Sequence, residues 1–520
     1  MRRRTFLAGG AGAVAVLSAT QACSSSEPAA PASTAPAPAA PEGLPEQVAK
    51  LRSQYLAQFD QEYVDNAIVP HFLNRVLDGE RPVLPMIDVA LTKENALPYD
   101  LWGLLSKTWK PAPEEGVTVF LQGLEKRGPD NRRKRIYMSA VTPDLYDSKY
   151  RSKIVAFWDQ LFSPPNANKP LMSIYLDTFW DLYWDLHLGV RGNDIPQQVR
   201  DIGASFNAVL AYRDVTQKIV YDNYMTVRKN LDFLKKWIDD RLADLSSGKT
   251  PDREKTFGWY WITNGEGSEY FNHKDVVFEC FHNFVAFSQW GNSLYNVMVR
   301  LGRDGGDPQT KDWYGRTMSG PFDNPDGSAF PPLERFVMEL FRTISPNGGS
   351  ISALTETTEP VFERHSFMVN PHTSTSRDPV QWANPDAFDP SRYQTAPTSA
   401  EVDEARIHQM GLANCPFDPK VSYDVKDGRT AALHNSAFGT VFGVVDGKPL
   451  PVCDYAGFAP FGFGYRRCPG EQLTVMAFED LIRKAWAEKL AFVKVGGADA
   501  KRVPIGPTTV IGDDIGFVRP

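Results

Sequence analysis

Apolar residues recur three and four positions apart along most of the chain after Leu44, and this spacing is typical of helices that bury one face. The longest stretch of this kind covers Val276–Leu301. Its centre, from Phe281 to Trp290, is apolar on nearly every side, which indicates a helix buried inside a large domain. The other helices predicted by apolar spacing are Gln47–Tyr63, Tyr150–Phe162, Val215–Leu245 and Gly470–Leu490.

Strand patterns are short and few. The clearest examples are Pro360–Val369 and Thr508–Val518. No repeat, low-complexity stretch or second linker interrupts the sequence of residues 46–520. The pattern therefore predicts one large, mainly α domain with a minor β-sheet over residues 46–520.

The first 22 residues are predicted to be an export signal rather than part of the fold. Three arginines come first, and a run of small apolar residues continues to about Ala19. Residues 3–7, Arg-Arg-Thr-Phe-Leu, resemble the twin-arginine motif, which serves proteins that fold before they cross the membrane. An ordinary secretory signal is the alternative. The apolar run is too short for a membrane span, so we expect an exported protein of the periplasm or cell envelope.

Residues 23–45 form a linker that is rich in Ala and Pro and lacks the apolar bulk to pack. Cys23 stands at its start in a context similar to a lipoprotein processing site. Thr20 occupies a position where Leu is usual, so lipid attachment at Cys23 and plain cleavage beside Ala22 both remain open. A lipid on Cys23 would be the contact of the protein with a membrane.

Composition and charge limit the class of molecule that the protein can bind. The chain has 520 residues, of which 42% are hydrophobic and 23% charged, and its net charge of -7 argues against a nucleic-acid binder. The basic run Arg132–Arg135 is short and is interpreted by default as a solvated helix face. We expect a monomer.

Three cysteines have no chemistry assigned by pattern: Cys280, Cys415 and Cys453. An oxidising compartment permits a disulfide between Cys415 and Cys453, although the sequence does not establish that they are close. The preferred interpretation is three inert, buried thiols.

Cys468 lies in the segment Phe461-Gly-Phe-Gly464-Tyr-Arg466-Arg-Cys468-Pro-Gly470, which runs into a predicted helix. Glycines let a backbone turn tightly and approach a flat cofactor because they have no Cβ. Backbone N–H groups at the start of the helix, with Arg466 nearby, would stabilise a thiolate, and Phe461 would keep water away from it. The segment therefore favours a metal-bound thiolate over a buried structural cysteine.

This segment resembles the cysteine-ligand loop of the cytochrome P-450 superfamily, F-x-x-G-x-R-x-C-x-G, at every fixed position. The resemblance implies the mainly α haem-domain fold of that superfamily and a haem b cofactor whose iron is ligated by Cys468. Phe461, Gly464 and Gly470 would contact the haem, and Arg466 would face a propionate.

Two further segments resemble the superfamily in the expected order. Glu339-Leu340-Phe341-Arg342 matches E-x-x-R, in which the two charged residues share one helix face. Residues 377–393 resemble R-D-P-x-x-W-x-x-P-x-x-F-x-P-x-R-F almost throughout, with Arg392 at the second arginine. By resemblance, Glu339, Arg342 and Arg392 form a buried ion triad, in which each charge must be satisfied because desolvation is costly.

One more haem contact is suggested by a weaker likeness. Residues 128–138 resemble the helix that often carries W-x-x-x-R, with Asn131 in place of Trp and Arg135 as the arginine. A slip of this alignment would leave Lys134 or Arg132 as the contact, and a solvated charge is the alternative.

The long predicted helix departs from the superfamily pattern. Its counterpart there crosses the distal haem face with A-G-x-D/E-T, whose acid and alcohol relay protons during oxygen activation. The best match in this chain is Ala286-Phe287-Ser288-Gln289-Trp290, in which Ala286 would contact the haem. Gln289 replaces the acid but does not titrate, and Trp290 replaces the alcohol but only donates. The usual proton relay is therefore not expected.

These features imply an enzyme that oxidises a hydrophobic small molecule. An exported protein has no soluble NADPH pool, so the missing relay and the missing electron source both favour hydrogen peroxide or an organic hydroperoxide as oxidant. A carboxylate of the substrate, or Gln289 acting through water, would orient the peroxide. The alternative is a conventional monooxygenase served by a ferredoxin-like redox partner, with a relay built from Ser288 or from a shifted register.

A non-catalytic haem or ligand carrier is the alternative of a different class. Phe287 and Trp290 would then close the distal pocket or pack in the core. A thiolate ligand beside an ordered ion triad favours the enzyme.

Overall fold

The computed structural model describes most of the chain between Gly43 and Arg519. The predicted export signal, Cys23 and most of the linker lie outside the described residues, as do Arg135, Cys415, Gly464 and Arg466. The described residues are 43–69, 140–209, 218–265, 272–328, 330–346, 350–353, 357–358, 361–362, 367–370, 373, 376–377, 379, 382–394, 440–445, 448–454, 460–461, 468, 470–496, 502–506 and 509–519.

Helices make up most of the described structure. They are α1 Leu44–Tyr55, α2 Gln61–Tyr63, α3 Pro143–Leu145, α4 Arg151–Leu161, α5 Leu171–Leu188, α6 Gln197–Val209, α7 Lys218–Ser247, α8 Phe257–Asn264, α9 His273–His282, α10 Ala286–Arg300, α11 Pro308–Ser319, α12 Pro332–Ile344 and α13 Glu471–Ala487. π-Helical turns follow α2 and α3 at Val64–Ile68 and Tyr146–Tyr150, and 3₁₀ turns occur at Pro164–Asn166, Gly192–Asp194, Arg253–Lys255, Asn283–Val285 and Pro390–Tyr393.

Side-chain caps fix where several helices begin. Asp307 accepts a hydrogen bond from the backbone N–H of Thr310 at 2.8 Å and starts α11. Thr256 accepts one from the N–H of Trp259 at 3.2 Å and starts α8. Such caps satisfy backbone N–H groups that have no partner within the helix.

Apolar spacing located three of the helices correctly, since Tyr150–Phe162, Val215–Leu245 and Gly470–Leu490 correspond to α4, α7 and α13. The prediction of one helix from residue 47 to residue 63 is wrong. Asp60 accepts a hydrogen bond from the N–H of Tyr63 at 2.8 Å and starts a second helix there.

The prediction of an unbroken helix over Val276–Leu301 is also wrong. The 3₁₀ turn Asn283–Val285 separates α9 from α10. Within the described residues the longest helix is instead α7, with 30 residues.

The described strands form five antiparallel pairs. They are β1 Ser350–Ala353 with β4 Phe367–Asn370, β2 Thr357–Thr358 with β3 Val361–Phe362, β5 Thr440–Val445 with β6 Lys448–Asp454, β7 Ala491–Lys494 with β10 Ile515–Val518, and β8 Arg502–Gly506 with β9 Thr509–Gly512.

Each predicted strand is divided in the structure. Residues 360–369 contain β3 and most of β4, and residues 508–518 contain β9 and β10. The second division occurs at Asp513, whose carboxylate accepts a hydrogen bond from the N–H of Met172 at 3.1 Å, at the start of α5. The predicted mainly α architecture with minor β structure is confirmed.

The turn and helix at residues 146–161 pack against the last helix, α13. Tyr146 donates its hydroxyl hydrogen to Asp480 at 2.7 Å, and Arg151 donates to the same carboxylate at 2.7 Å. The indole N–H of Trp158 donates to the carbonyl of Ala477 at 3.0 Å. These bonds hold the helix that directly follows Cys468.

None of the described helices is both long enough and apolar enough to span a bilayer.

Candidate active site

Cys468 lies three residues before α13 begins. Its backbone N–H donates to the carbonyl of Phe461 at 2.8 Å, which closes the turn that carries the sulfur. Neither Cys468 nor the buried Cys280 is in a disulfide. The N-terminus of α13 presents backbone N–H groups with a partial positive charge, and this favours a thiolate at position 468.

Gly470 lies beside the sulfur of Cys468. Its backbone φ of -88° is open to any residue, and among the described residues an added Cβ would meet only that sulfur, at an ordinary contact distance of 3.7 Å. A glycine at this position allows a flat group bound to the sulfur to approach the backbone closely. Phe461 is buried and packs against Phe341 with ring centroids 5.1 Å apart. These residues fit a thiolate that ligates a planar cofactor.

The carboxylate of Glu339 is the centre of a buried ionic network. Arg342 donates to both of its oxygens at 2.7 and 2.8 Å, and Arg392 donates to one at 3.2 Å. The hydroxyl of Tyr393 and the backbone N–H of Asp389 donate to it as well, at 3.0 and 2.8 Å. The structure thus brings together the three residues of the predicted triad and adds Tyr393, which the sequence analysis missed although it directly follows Arg392.

The network holds a loop against α12. The Arg342 guanidinium, which is fully buried, donates to the carbonyls of Ser376, Pro385 and Ala387 at 2.8–2.9 Å. Burial raises the pKa of Tyr393 well above its usual range, so this phenol stays protonated and keeps donating to the carboxylate. Residues 376–393 are therefore fastened to α12 by charge-assisted bonds.

The turn Asn283–Val285 separates α9 from α10, and two side chains bond backbone carbonyls at this helix break. The amide of Asn283 donates to the carbonyl of Glu279 at 2.9 Å, and the hydroxyl of Tyr183 donates to that of Cys280 at 2.8 Å. Side-chain hydrogen bonds to backbone carbonyls are expected where the regular hydrogen bonds of a helix are interrupted. Burial raises the pKa of the Cys280 thiol, with a further contribution from the Glu279 charge, so this thiol is inert.

Trp290 was predicted at the position of the distal alcohol, with core packing as the alternative. Its side chain is 5% exposed and lies between α10 and α13, where the indole N–H donates to the hydroxyl of Thr474 at 3.0 Å. The ring stacks on Trp158 at 6.2 Å and meets Phe478 edge-on at 5.9 Å. A large aromatic side chain with a satisfied N–H is a core residue here.

The other distal residues have different environments. Ala286 packs against the core at the first position of α10. The side-chain oxygen of Gln289 is buried and has no hydrogen-bond partner among the described residues. The side chains of Phe287 and Ser288 lie outside the described part of the structure.

Comparison with known proteins identifies the fold. No family model matches the chain, and no curated protein matches its sequence. P450BioI, solved with a hexadec-9Z-enoic acid ligated acyl carrier protein, is 14% identical, with 90% of this chain and 100% of that one covered at a TM-score of 0.51. A zebrafish cytochrome P450 solved with abiraterone is 12% identical, with 87% of this chain and 99% of that one covered, also at a TM-score of 0.51. The chain has the cytochrome P450 fold.

Proposed function

We propose that the protein is a haem-thiolate oxidoreductase that oxidises a hydrophobic small molecule. The observation that carries this proposal is the position of Cys468, just before the start of α13 in a cytochrome P450 fold. Haem b would supply the chemistry of oxygen–oxygen bond cleavage, and the thiolate would donate charge to its iron.

The residues of the chain would then have separate tasks. Cys468 ligates the iron, and Phe461 excludes water from the sulfur. Gly470 leaves the room that a planar macrocycle needs. Arg466 and Arg135 are proposed to pair with the propionates, because guanidinium groups bind carboxylates in a fork of two hydrogen bonds.

We propose a peroxide as the oxidant, either hydrogen peroxide or an organic hydroperoxide. The support is the distal helix: Gln289 cannot titrate, and Trp290 is bonded to Thr474 in the core. Neither residue can relay the protons that oxygen activation requires. A peroxide arrives already reduced and needs no electron donor.

The N-terminal sequence supports the same oxidant. Residues 1–22 are proposed to direct export through a twin-arginine route, and residues 23–45 to separate a monomeric folded domain from the membrane, with Cys23 as a candidate lipid site. An exported enzyme would have no access to soluble NADPH.

The decisive experiment is the absorption spectrum of the reduced, carbon monoxide-bound holoprotein, which reports a thiolate ligand directly. We expect the thiolate signature in the wild type and its loss in Cys468→Ala. Cys280→Ala is the matched control, because it removes a buried thiol but not the proposed ligand, and it should retain the signature. A thiolate spectrum in Cys468→Ala would refute the assignment.

The second measurement separates oxidants in the same preparation. Hydrophobic substrates are incubated with hydrogen peroxide, with cumene hydroperoxide, or with a reductase, a ferredoxin and NADPH. Product with either peroxide supports the proposal, whereas product only in the reductase arm would refute the peroxide assignment. No product in any arm would indicate a haem carrier.

A conventional monooxygenase is the second candidate, and one observation favours it. Glu279 is fully buried one helical turn before Asn283, so an acid does lie beside the helix break. If Glu279 relays protons, Glu279→Gln should abolish turnover with oxygen and a redox partner. In the peroxide-driven enzyme the same variant should keep peroxide turnover within about threefold of the wild type, a change of less than 1 kcal/mol in the barrier.

A further inference from the structure

Two hydrogen bonds join α10 and α13 or the residues after them, in the same order along both helices. Near their starts, Trp290 of α10 bonds Thr474 of α13 at 3.0 Å. Beyond their ends, the N–H of Arg303 donates to the carbonyl of Phe492 at 2.8 Å. Moving upstream from Trp290 along α10 therefore leads toward the start of α13 and the turn of Cys468.

The residues on that upstream face are Ala286 and Asn283. Side chains three or four positions apart lie on one face of a helix, so Ala286 is one turn and Asn283 about two turns upstream of Trp290. Ala286 is small and begins α10, and Asn283 begins the interrupted turn. In this order along α10, the helix break lies upstream of the Gln289–Trp290 pair, on the side of the start of α13.

Asn283 differs from its neighbours in exposure. Cys280, Phe281 and Phe284 are at most 1% exposed, whereas the Asn283 side chain is partly exposed in the middle of the same buried element. Its amide nitrogen is engaged by the carbonyl of Glu279. That bond fixes the orientation of the amide and directs its oxygen, an acceptor, away from the helix backbone.

The surroundings of the break are aromatic. The ring of Phe284 lies 5.3 Å from that of Trp180, 5.1 Å from Tyr183 and 5.5 Å from Trp184. Such an apolar wall suits a hydrophobic substrate.

We propose that Asn283 and Ala286 form the distal face of the site, and that the amide oxygen of Asn283 accepts a hydrogen bond from the O–H group of the peroxide and orients it. This inference rests on the proposed haem-thiolate function. Ala286 leaves the room for that oxidant, and the Asn283–Glu279 bond sets the direction of the acceptor.

The test compares two asparagines that make the same local bond. Asn296 also donates its amide to the carbonyl four residues earlier, at 2.8 Å from Asn292, but it lies further along α10, beyond Trp290. Asn283→Ala and Asn296→Ala each remove an amide bond to the carbonyl four residues earlier, Asn296→Ala also removes a bond to the side chain of Asn292, and only Asn283→Ala removes the proposed acceptor. Each holoprotein is titrated with imidazole, which keeps an N–H when bound to iron, and with 1-methylimidazole, which does not, by following the Soret band.

Asn283→Ala should raise the dissociation constant of imidazole by about 3- to 10-fold, the effect of losing one neutral hydrogen bond. The constant for 1-methylimidazole should stay within about twofold. Asn296→Ala should change neither constant. Asn283→Asp keeps an acceptor oxygen and should keep the preference for imidazole, which provides a second variant if the alanine protein does not fold.

Equal shifts for both ligands in Asn283→Ala, or equal effects of Asn283→Ala and Asn296→Ala, would overturn the inference. The titration needs only bound haem, so it reports on Asn283 even if the peroxide assignment fails. The KM values for the two peroxides then identify the source of the O–H group. A larger rise for cumene hydroperoxide in Asn283→Ala assigns an organic hydroperoxide, and a larger rise for hydrogen peroxide assigns that molecule.

Discussion

Two polar regions of the described structure are built by opposite means. Around Glu339, one carboxylate receives bonds from two guanidinium groups, a phenol and a backbone N–H. At the helix break, one neutral amide and one neutral hydroxyl hold two carbonyls. We expect the protein to lose much of its folding stability when one member of the first region is removed. The second is held weakly, so its residues can be adapted to the chemistry without unfolding the protein.

Glu339→Gln is expected to have the largest effect on the difference between the two regions. The variant keeps the size of the side chain but leaves the charges of Arg342 and Arg392 buried without a counter-charge. We expect a loss of about 3–5 kcal/mol in the free energy of unfolding, with poor recovery of haem. Urea unfolding followed by tryptophan fluorescence measures this loss, and a value below about 1 kcal/mol would show that the network contributes little to stability.

Trp290→Phe tests whether the residue between the two regions belongs to the core. The variant removes the bond to Thr474 and part of the contact with Trp158, so we expect a loss of about 1–3 kcal/mol. Imidazole affinity should stay the same, because the ring faces α13. Thr474→Val should be non-additive with it, since both variants remove one bond. A changed imidazole affinity with unchanged stability would indicate that Trp290 lies on the distal face of the site.

Tyr183→Phe sharpens the contrast at the helix break. It removes only the hydroxyl that bonds the carbonyl of Cys280, and the ring contacts with Phe284 remain. We expect a loss of about 1 kcal/mol, several times smaller than at Glu339. A loss as large as that of Glu339→Gln would mean that the break is as rigid as the network.

The smallest effect is expected at an exposed ion pair that serves as the common reference. Lys218 and Asp222 bond at 2.6 Å on the surface of α7, where both side chains are more than half exposed. Asp222→Asn should change the free energy of unfolding by less than about 0.5 kcal/mol, because solvent screens such pairs. A larger change would indicate that the assay overstates electrostatic effects.

The same contrast explains what could be predicted from the sequence. Short sequence motifs predict the turn of Cys468 and the positions of Glu339, Arg342 and Arg392, because the chemistry of these residues tolerates few replacements. Helices such as α4 and α13 follow from apolar spacing alone.

The helix break could not be predicted in that way. Apolar residues continue through Phe281–Trp290 without a sign of interruption, since burial on all sides hides the helical period. The environment of Trp290 depends on Thr474, which is 184 positions away. Spacing and motif cannot reveal such a contact from one sequence.

The bonds between the early helices and α13 also constrain when the protein can mature. Tyr146 and Asp480 are 334 positions apart, and Trp158 and Ala477 are 319 apart. Contacts this distant cannot form until nearly the whole polypeptide has left the ribosome, and closing such a loop makes folding slow. We therefore expect the proposed haem to bind after synthesis ends. Under the proposed twin-arginine export, assembly would precede translocation, which would then act as a checkpoint that only finished molecules pass.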